Sequence, residues 1–286
     1  MTTAQINNRY TVQIPQNWDD LKTNRKLFLW TVSLFFFNLT RSEILTMIVF
    51  RFLRFGGVMK KRISNAIENA PSSENTWHIN SEITRVSEYL NFITDTTLEV
   101  NDNFFKYLFN RRKLYAPQSL LSNTEIWEFA LCENDFFEYA NSQKPEFLDN
   151  LISKLYRPKK NFMFFRKHFS DFDGDFRKEF NESHAQKRLN RISKLPIHYK
   201  WLIFRWFASQ REIIVKAHPH TYKQSTDKKT NEDSNSSWAD TIIAMSKVGE
   251  EDKTAKTKLS VFLRRIEKEN AEAEKLKSKY KKNGRD

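Results

Sequence analysis

Apolar residues recur at helical spacing over most of the chain, which predicts a mainly α-helical protein. Between positions 18 and 217 they fall repeatedly at i, i+3, i+4 and i+7, the spacing that places them on one face of a helix. The helices up to residue 220 are predicted to form one multi-helix globular body. The pattern predicts helices over residues 27–37, 44–55, 60–70, 81–92, 122–141, 145–155, 182–195, 196–217, 238–245 and 258–282.

Capping residues mark where several of these helices begin. Thr40 and Glu43 have capping-box spacing, in which the threonine hydroxyl and the glutamate carboxylate each accept a hydrogen bond from a free backbone amide. The Asp and Thr side chains of residues 17–23 are placed to cap the helix over residues 27–37. Pro145 favours the first position of the helix that it opens. These helix starts are therefore predicted from local chemistry as well as from periodicity.

Short strands are predicted in a few places. Residues 10–14 alternate apolar and polar side chains, the period of a strand, and Pro15 ends the segment. A second short strand is predicted over residues 76–79. Residues 104–115 fit either a helix or a strand, and residues 171–176 fit a turn or an edge strand. The predicted fold class is mainly α, with one or two short strands near the N-terminus and in mid-chain.

Residues 221–237 interrupt the helical pattern. The segment is mostly Lys, Asp, Asn, Ser and Thr and contains no aliphatic side chain, so it is too polar to bury itself. We therefore predict three parts: a helical body with a short N-terminal strand over residues 1–220, a flexible polar linker over residues 221–237, and a C-terminal helical arm with a basic tail over residues 238–286.

Composition narrows the class of protein. Only 5 of the 286 residues are glycine, which argues against Rossmann and P-loop chemistry because their phosphate-binding loops depend on glycine. Cys132 is the single cysteine, so it has no internal disulfide partner and is expected to be a buried small side chain. The apolar run 27–39 would span only about 20 Å as a helix, short of a bilayer core of about 30 Å. We expect a cytoplasmic protein without a membrane partner.

Carboxylates and histidines offer two incomplete metal-site patterns. Alternate aspartates in residues 171–175 would share one face of a strand, but the glycine that an EF-hand loop needs at its sixth position is Phe176. The alternatives for these aspartates are a solvated turn or pairing with neighbouring arginines. The His-Pro-His sequence at 218–220 lacks a third ligand and fits a helix terminus better. We expect no catalytic residue, no cofactor and no metal.

The net charge of +13 favours an acidic partner through long-range attraction. Residues 157–167 mix basic side chains with three phenylalanines, a combination that proteins binding single-stranded nucleic acid use for phosphate contact and base stacking. The C-terminal tail adds more lysines, which could neutralise further phosphates. Possible contacts to nucleic acid or to an acidic protein are Arg157, Lys159, Lys160, Arg166, Lys167, Lys279, Lys281 and Lys282.

Three short segments carry a resemblance that covers most of the chain. They are Ile-Pro-Gln-Asn-Trp-Asp-Asp-Leu at 14–21, Leu-Asp-Asn-Leu-Ile-Ser-Lys-Leu-Tyr-Arg-Pro at 148–158, and residues 173–180. Leu195-Pro196, Tyr199-Lys200, Trp238, Gly249 and a closing helix follow them and are also similar. In these segments and their order the chain resembles helical proteins encoded in the tail-assembly regions of phages and prophages of Bacteroidetes-type bacteria. The polar insert 221–237 departs from that pattern.

The resemblance implies a non-enzymatic morphogenesis factor acting in the cytoplasm of the bacterial host. Its implied activity is that of a tail assembly chaperone, which keeps a long helical tape-measure protein soluble while the tail tube polymerises. Its implied partner is therefore a protein client, bound by amphipathic helices and steered by basic residues when the client is acidic. The alternative function is that of a basic nucleic-acid-associated accessory protein.

Overall fold

A computed structural model describes residues 2–6, 10–37, 39–52, 88–95, 100, 103–160, 175–222 and 238–283. Across these residues it contains eleven α-helices and five short strands, which confirms the predicted mainly α fold class. The strands are β1 (Thr2–Ile6), β2 (Tyr10–Ile14), β3 (Tyr107–Leu108), β4 (Leu114–Tyr115) and β5 (Arg157–Pro158). The helices are α1 (Trp18–Lys22), α2 (Arg25–Leu34), α3 (Arg41–Phe52), α4 (Phe92–Asp95), α5 (Ile126–Ser142), α6 (Pro145–Leu155), α7 (Glu182–Ile192), α8 (Ile197–Ala217), α9 (Trp238–Met245), α10 (Glu251–Ala255) and α11 (Leu259–Asn283).

The chain divides into two compact units. The first comprises residues 1–98 with residues 197–199, and the second comprises residues 99–196 with residues 200–286. This division differs from the predicted one, since the C-terminal helices belong to the same unit as α5 and α6. Most of the predicted linker, residues 223–237, lies outside the described residues, as do the elements predicted at 60–70 and 76–79.

The first unit begins with an antiparallel hairpin. The predicted strand is present as β2, and it pairs with β1 in a register that places Thr2 opposite Ile14. Residues 18–22, which we expected only to lead into and cap the helix over residues 27–37, form a short helix of their own, and an asparagine caps the next helix in place of the expected Asp and Thr. Asn17 caps α1 by accepting from the amide of Asp20, and Asn24 caps α2 by accepting from the amide of Leu27.

The predicted capping box at the start of α3 is confirmed. The amide of Glu43 donates to Oγ1 of Thr40 at 3.4 Å, and the amide of Thr40 donates to Oε2 of Glu43 at 2.7 Å. The bond from the Thr40 amide, aided by the Thr40 hydroxyl, lowers the pKa of the Glu43 carboxyl. The reciprocal bonds satisfy two amides that the first turn of a helix leaves without intrahelical acceptors.

The second unit is built around α5 and α6. Their packing buries Phe129, Leu148, Leu151 and Ile152 completely. Residues 104–115, which fitted either a helix or a strand, form the two strands β3 and β4, and β4 also pairs antiparallel with β5. Helix α6 begins at Pro145 as predicted. The small sheet therefore lies beside the end of α6, since β5 follows that helix after a single residue.

Replacing Gln143, at the end of helix α5, by glycine is expected to stabilise the protein. Gln143 is the C-cap of α5 and has φ 57° and ψ 15°, a left-handed conformation that costs an L-residue about 1 kcal/mol relative to glycine. We expect Gln143→Gly to raise the free energy of unfolding by about 0.5–1 kcal/mol, measured by urea denaturation. Gln186→Gly, an exposed position inside α7, is the matched control and should lower it by about 1 kcal/mol. Equal effects at both sites would contradict the argument.

Candidate functional site

Four charged side chains lie almost wholly out of solvent in the second unit. Glu128 comes from α5 and Arg157 from β5, while Asp175 and Arg177 precede α7. Their exposed fractions are 0%, 2%, 3% and 0%, respectively. Charges are expensive to bury unless they are paired and hydrogen-bonded, so the partners of these four groups decide what the cluster does. We call these four residues the buried charge cluster.

The cluster pairs two arginines with two carboxylates. Nη2 of Arg157 donates to Oε2 of Glu128 and to Oδ2 of Asp175, both at 3.0 Å. Nε and Nη2 of Arg177 donate to Oδ1 and Oδ2 of Asp175, each at 3.1 Å. This second arrangement is the two-pronged pairing of a guanidinium with a carboxylate, which is both strong and directional. The formal charges of the four residues sum to zero.

Backbone contacts extend the cluster to neighbouring elements. Nη1 of Arg157 donates to the carbonyl of Lys178 at 2.6 Å, and Nη1 of Arg177 donates to the carbonyl of Leu155 at 2.9 Å. Nη2 of Arg177 also donates to the carbonyl of Asn123 at 3.1 Å, and Nδ2 of Asn123 donates to Oδ1 of Asp175 at 3.0 Å. The cluster thus joins the turn before α5, the end of α6 and the segment before α7.

The buried charge cluster decides between the alternatives for Asp175, the last of the three aspartates in residues 171–175. Asp175 is a pair partner of nearby arginines, which was one of the alternatives to a metal site. Asp171 and Asp173 lie outside the described residues. Within the part of the chain that the structure describes, no group of three or more His, Cys, Asp or Glu side chains is arranged to hold a metal ion.

The cluster also corrects the prediction for Arg157. We predicted this residue as a surface contact for nucleic acid or an acidic partner, but its guanidinium is buried against Glu128 and Asp175. A run of basic residues in the sequence suggested solvent exposure, whereas the first member of the run points into the core. Arg157 therefore positions elements of this chain and does not face a ligand.

The other predicted basic contacts lie on different elements. Lys159 is exposed, and Lys160 is half-buried with its amide donating to the carbonyl of Phe176. Lys279 is exposed on α11, and the backbones of Lys281 and Lys282 continue that helix. Arg166 and Lys167 lie outside the described residues. The described lysines thus divide between the end of β5 and the end of α11.

A second cluster holds the C-terminal helices against α5. Oε1 of Glu133 accepts from Nε of Arg211 in α8, and Oε2 accepts from the indole Nε1 of Trp238 at the start of α9, both at 2.5 Å. The ring of Trp238 meets the ring of Tyr222 edge to face with centroids 5.9 Å apart. Tyr222 and Trp238 are thus in contact with each other although 15 residues separate them in the sequence.

Helix α11 contacts the segment that follows α8. Oε1 of Glu267 accepts from the amide of His220 at 3.0 Å, and its Oε2 accepts from the amide and the hydroxyl of Thr221 at 2.8 and 2.7 Å. Burial would raise the pKa of Glu267, but these hydrogen bonds outweigh it and lower that pKa. Nδ1 of His220 lies 3.0 Å from Oε2 of Glu274. The histidines at 218–220 thus follow the end of α8, as predicted, and the second of them contacts α11.

An apolar stripe follows one side of α11, is broken near its middle by Glu269, and changes environment along the helix. Its first members, Leu259, Phe262, Leu263 and Ile266, are each at most 5% exposed. Further along, Leu276 is 54% exposed and Tyr280 is 77% exposed. With about 100° per residue, all of these positions and Ala273 fall on the same side of the helix. The stripe is therefore covered at the start of α11 and uncovered towards its end.

Sequence reasoning missed Glu128 and Glu133 as organising residues. A local signal for Glu128 was available, because the period of α5 places it on the same face as Cys132 and Tyr139. A carboxylate on an apolar face calls for a cationic partner. Cys132 itself is buried as predicted, and that burial raises the pKa of its thiol well above the usual range.

No protein-family model matches the chain, and comparisons with curated proteins and with solved structures give no match. Of the helices in the described ranges, none combines the length and apolar character needed to cross a bilayer.

Proposed function

We propose that the chain is a non-enzymatic assembly factor of a phage or prophage tail that binds a helical protein client, such as a tape-measure protein, as a chaperone. The observation that carries the proposal is the uncovered end of the apolar stripe on α11, with Leu276 and Tyr280 exposed in a lysine-rich segment. An exposed amphipathic helical face is a common means of binding another helix. The resemblance in segments 14–21, 148–158 and 173–180 supplies the proposed biological setting.

The charged residues of the second unit support the same proposal. Buried charged side chains of this unit, in the buried charge cluster and around Glu133, bond to one another and to backbone carbonyls. Their chemistry is used to hold helices α5, α6, α8 and α9 and the segment before α7 in place. A rigid support of this kind suits a protein that presents a binding surface.

The alternative proposal is a basic nucleic-acid-associated protein. The net charge of +13 and the exposed Lys159 and Lys279 favour it. The burial of Arg157 removes one of the contacts on which this alternative was based. Binding of a tail protein that depends on nucleic acid would favour this alternative over a protein client.

Co-expression with the tail proteins of the same phage or prophage tests the proposed function. We expect affinity capture of the full chain to recover one helical client, and that client to stay in the soluble fraction only when the chain is present. The lysate should be treated with nuclease before capture, because a complex bridged by nucleic acid would then disappear. Recovery of no tail protein would contradict the chaperone proposal, and loss of the complex on nuclease treatment would favour the alternative.

A further inference from the structure

The end of α11 carries a single heptad of the coiled-coil pattern. If Ala273 is assigned to heptad position a, Leu276 takes position d and Tyr280 the next a. Helical geometry then places positions 277 and 279, both lysine, at e and g on the two flanks of the stripe. Flanking positions of this kind select the partner of a coiled-coil helix through their charge.

Charge is distributed unevenly along the helix. Between residues 264 and 274 three basic residues stand among four glutamates, and pairs form within the helix, such as Arg265 with Glu269 and Lys268 with Glu272. Residues 275–286 contain five lysines and one arginine against a single aspartate. The strongly basic part of the sequence therefore begins where the apolar stripe loses its cover.

We infer that residues 273–283 of α11 are a docking surface for an acidic amphipathic helix of a protein client. The exposed side chains of Leu276 and Tyr280 would pack into the apolar face of that helix, and acidic residues beside that face would meet the flanking lysines. The inference rests on the proposed function for the identity of the client and adds its chemical class and its place of binding.

A second copy of this chain is a poorer occupant of the surface. Each copy carries a net charge of +13, and pairing two ends of α11 would bring two lysine-rich segments together. Only two large apolar residues, Leu276 and Tyr280, would offset that repulsion. An acidic helix would be attracted by the same lysines. Nucleic acid would also be attracted by them, but its binding would not require apolar residues at helical spacing.

Peptide binding to the full chain tests the inference. The probe is a synthetic four-heptad helix with Leu at positions a and d and Glu at positions e and g, labelled for fluorescence anisotropy. Its matched control has Lys at positions e and g. We expect the Glu peptide to bind, the Lys peptide not to bind, and the affinity for the Glu peptide to fall as salt is added.

Two variants locate the binding on α11. Leu276→Asp is expected to weaken binding of the Glu peptide by about tenfold or more. It places a negative charge on the apolar face of α11, where it would repel the negative charges of the peptide. Val261→Asp is the matched control: Val261 is 57% exposed and lies 15 residues, or about 22 Å, before Leu276 on the same helix, so its variant should bind as the parent chain does. Circular dichroism should show the same helix content in all three proteins, since both substituted positions are exposed.

The outcomes separate the inference from the proposed function. Equal binding of both peptides, equal binding by Leu276→Asp, or concentration-dependent self-association abolished by Leu276→Asp would overturn the inference. Binding of duplex DNA that displaces the Glu peptide and ignores Leu276→Asp would overturn it in favour of nucleic acid. If the peptide results are as expected but no tail protein is recovered from co-expression, the docking surface stands and the tail-assembly proposal fails.

Discussion

Asp175→Asn is expected to lower the free energy of unfolding of the second unit by roughly 3–5 kcal/mol, the usual cost of removing one member of a buried ion pair. Asp175 accepts hydrogen bonds from both arginines of the buried charge cluster and from the side chain of Asn123. The amide that replaces it keeps the shape but removes a charge. Two guanidinium groups would then share the single carboxylate of Glu128 in a site that water does not reach.

Urea unfolding followed by tryptophan fluorescence measures this loss as a lower midpoint. Asp252→Asn is the matched control in the same unit, because Asp252 is exposed and its variant should stay within about 0.5 kcal/mol of the parent chain. Repeating the measurement in 1 M salt separates buried from surface pairs, since salt screens exposed charges far more strongly. A loss for Asp175→Asn no larger than that for Asp252→Asn would contradict the role of the cluster.

A double variant tests whether the stability lost in Asp175→Asn comes from a buried charge that has no partner. Adding Arg157→Met to Asp175→Asn removes the guanidinium that would lack a full partner, and with it a buried Nε that makes no hydrogen bond. We expect the two substitutions together to cost less than the sum of the single losses, with a coupling of about 1–3 kcal/mol. Strict additivity would show that the two side chains act independently.

Local signals account for the parts of the fold that were predicted. The periodicity of apolar residues and the capping pair Thr40 and Glu43 act within a few residues of one another, so the sequence displays them directly. Helix α9 was predicted with the bounds Trp238–Met245 that the structure gives. Helix α10 was missed because its sequence, Glu-Asp-Lys-Thr-Ala, carries no apolar pattern. Strands β3, β4 and β5 have two residues each, too few to show alternation.

Tertiary contacts explain what sequence reasoning could not predict about the site. Arg157 stands in a run of basic residues, and only the approach of Glu128, 29 residues away, and Asp175, 18 residues away, makes it a core residue. Tertiary contacts also decide which part of the apolar stripe on α11 is covered and which part is exposed. The sequence predicts a helix over residues 258–282, but it does not show where the rest of the protein stops covering the apolar residues of that helix.

Cutting the chain within residues 223–237 is expected to leave the two fragments associated, which is the second large effect that the structure predicts. The C-terminal fragment, which contains Trp238, keeps the indole bond to Glu133 and the ring contact with Tyr222. Backbone bonds from Ile126 to Thr257 and from Leu259 to Thr124 add to this attachment, together with the buried start of the stripe on α11. A protease site inserted after Thr230 would allow the cut to be made in the folded protein.

Leu263→Asp should release the fragment from the cut protein. Leu263 is 1% exposed, and replacing it loses the burial of a leucine and buries a carboxylate, together about 4 kcal/mol or a thousandfold in affinity. Size-exclusion chromatography after cleavage measures the association, with Leu276→Asp as the control that should stay bound because Leu276 is exposed. If the unsubstituted fragments separate on cleavage, the C-terminal helices are held by the tether alone. If the unsubstituted fragments stay together and the Leu263→Asp fragments separate, packing of the start of α11 holds the helix on the second unit, while its other end stays exposed.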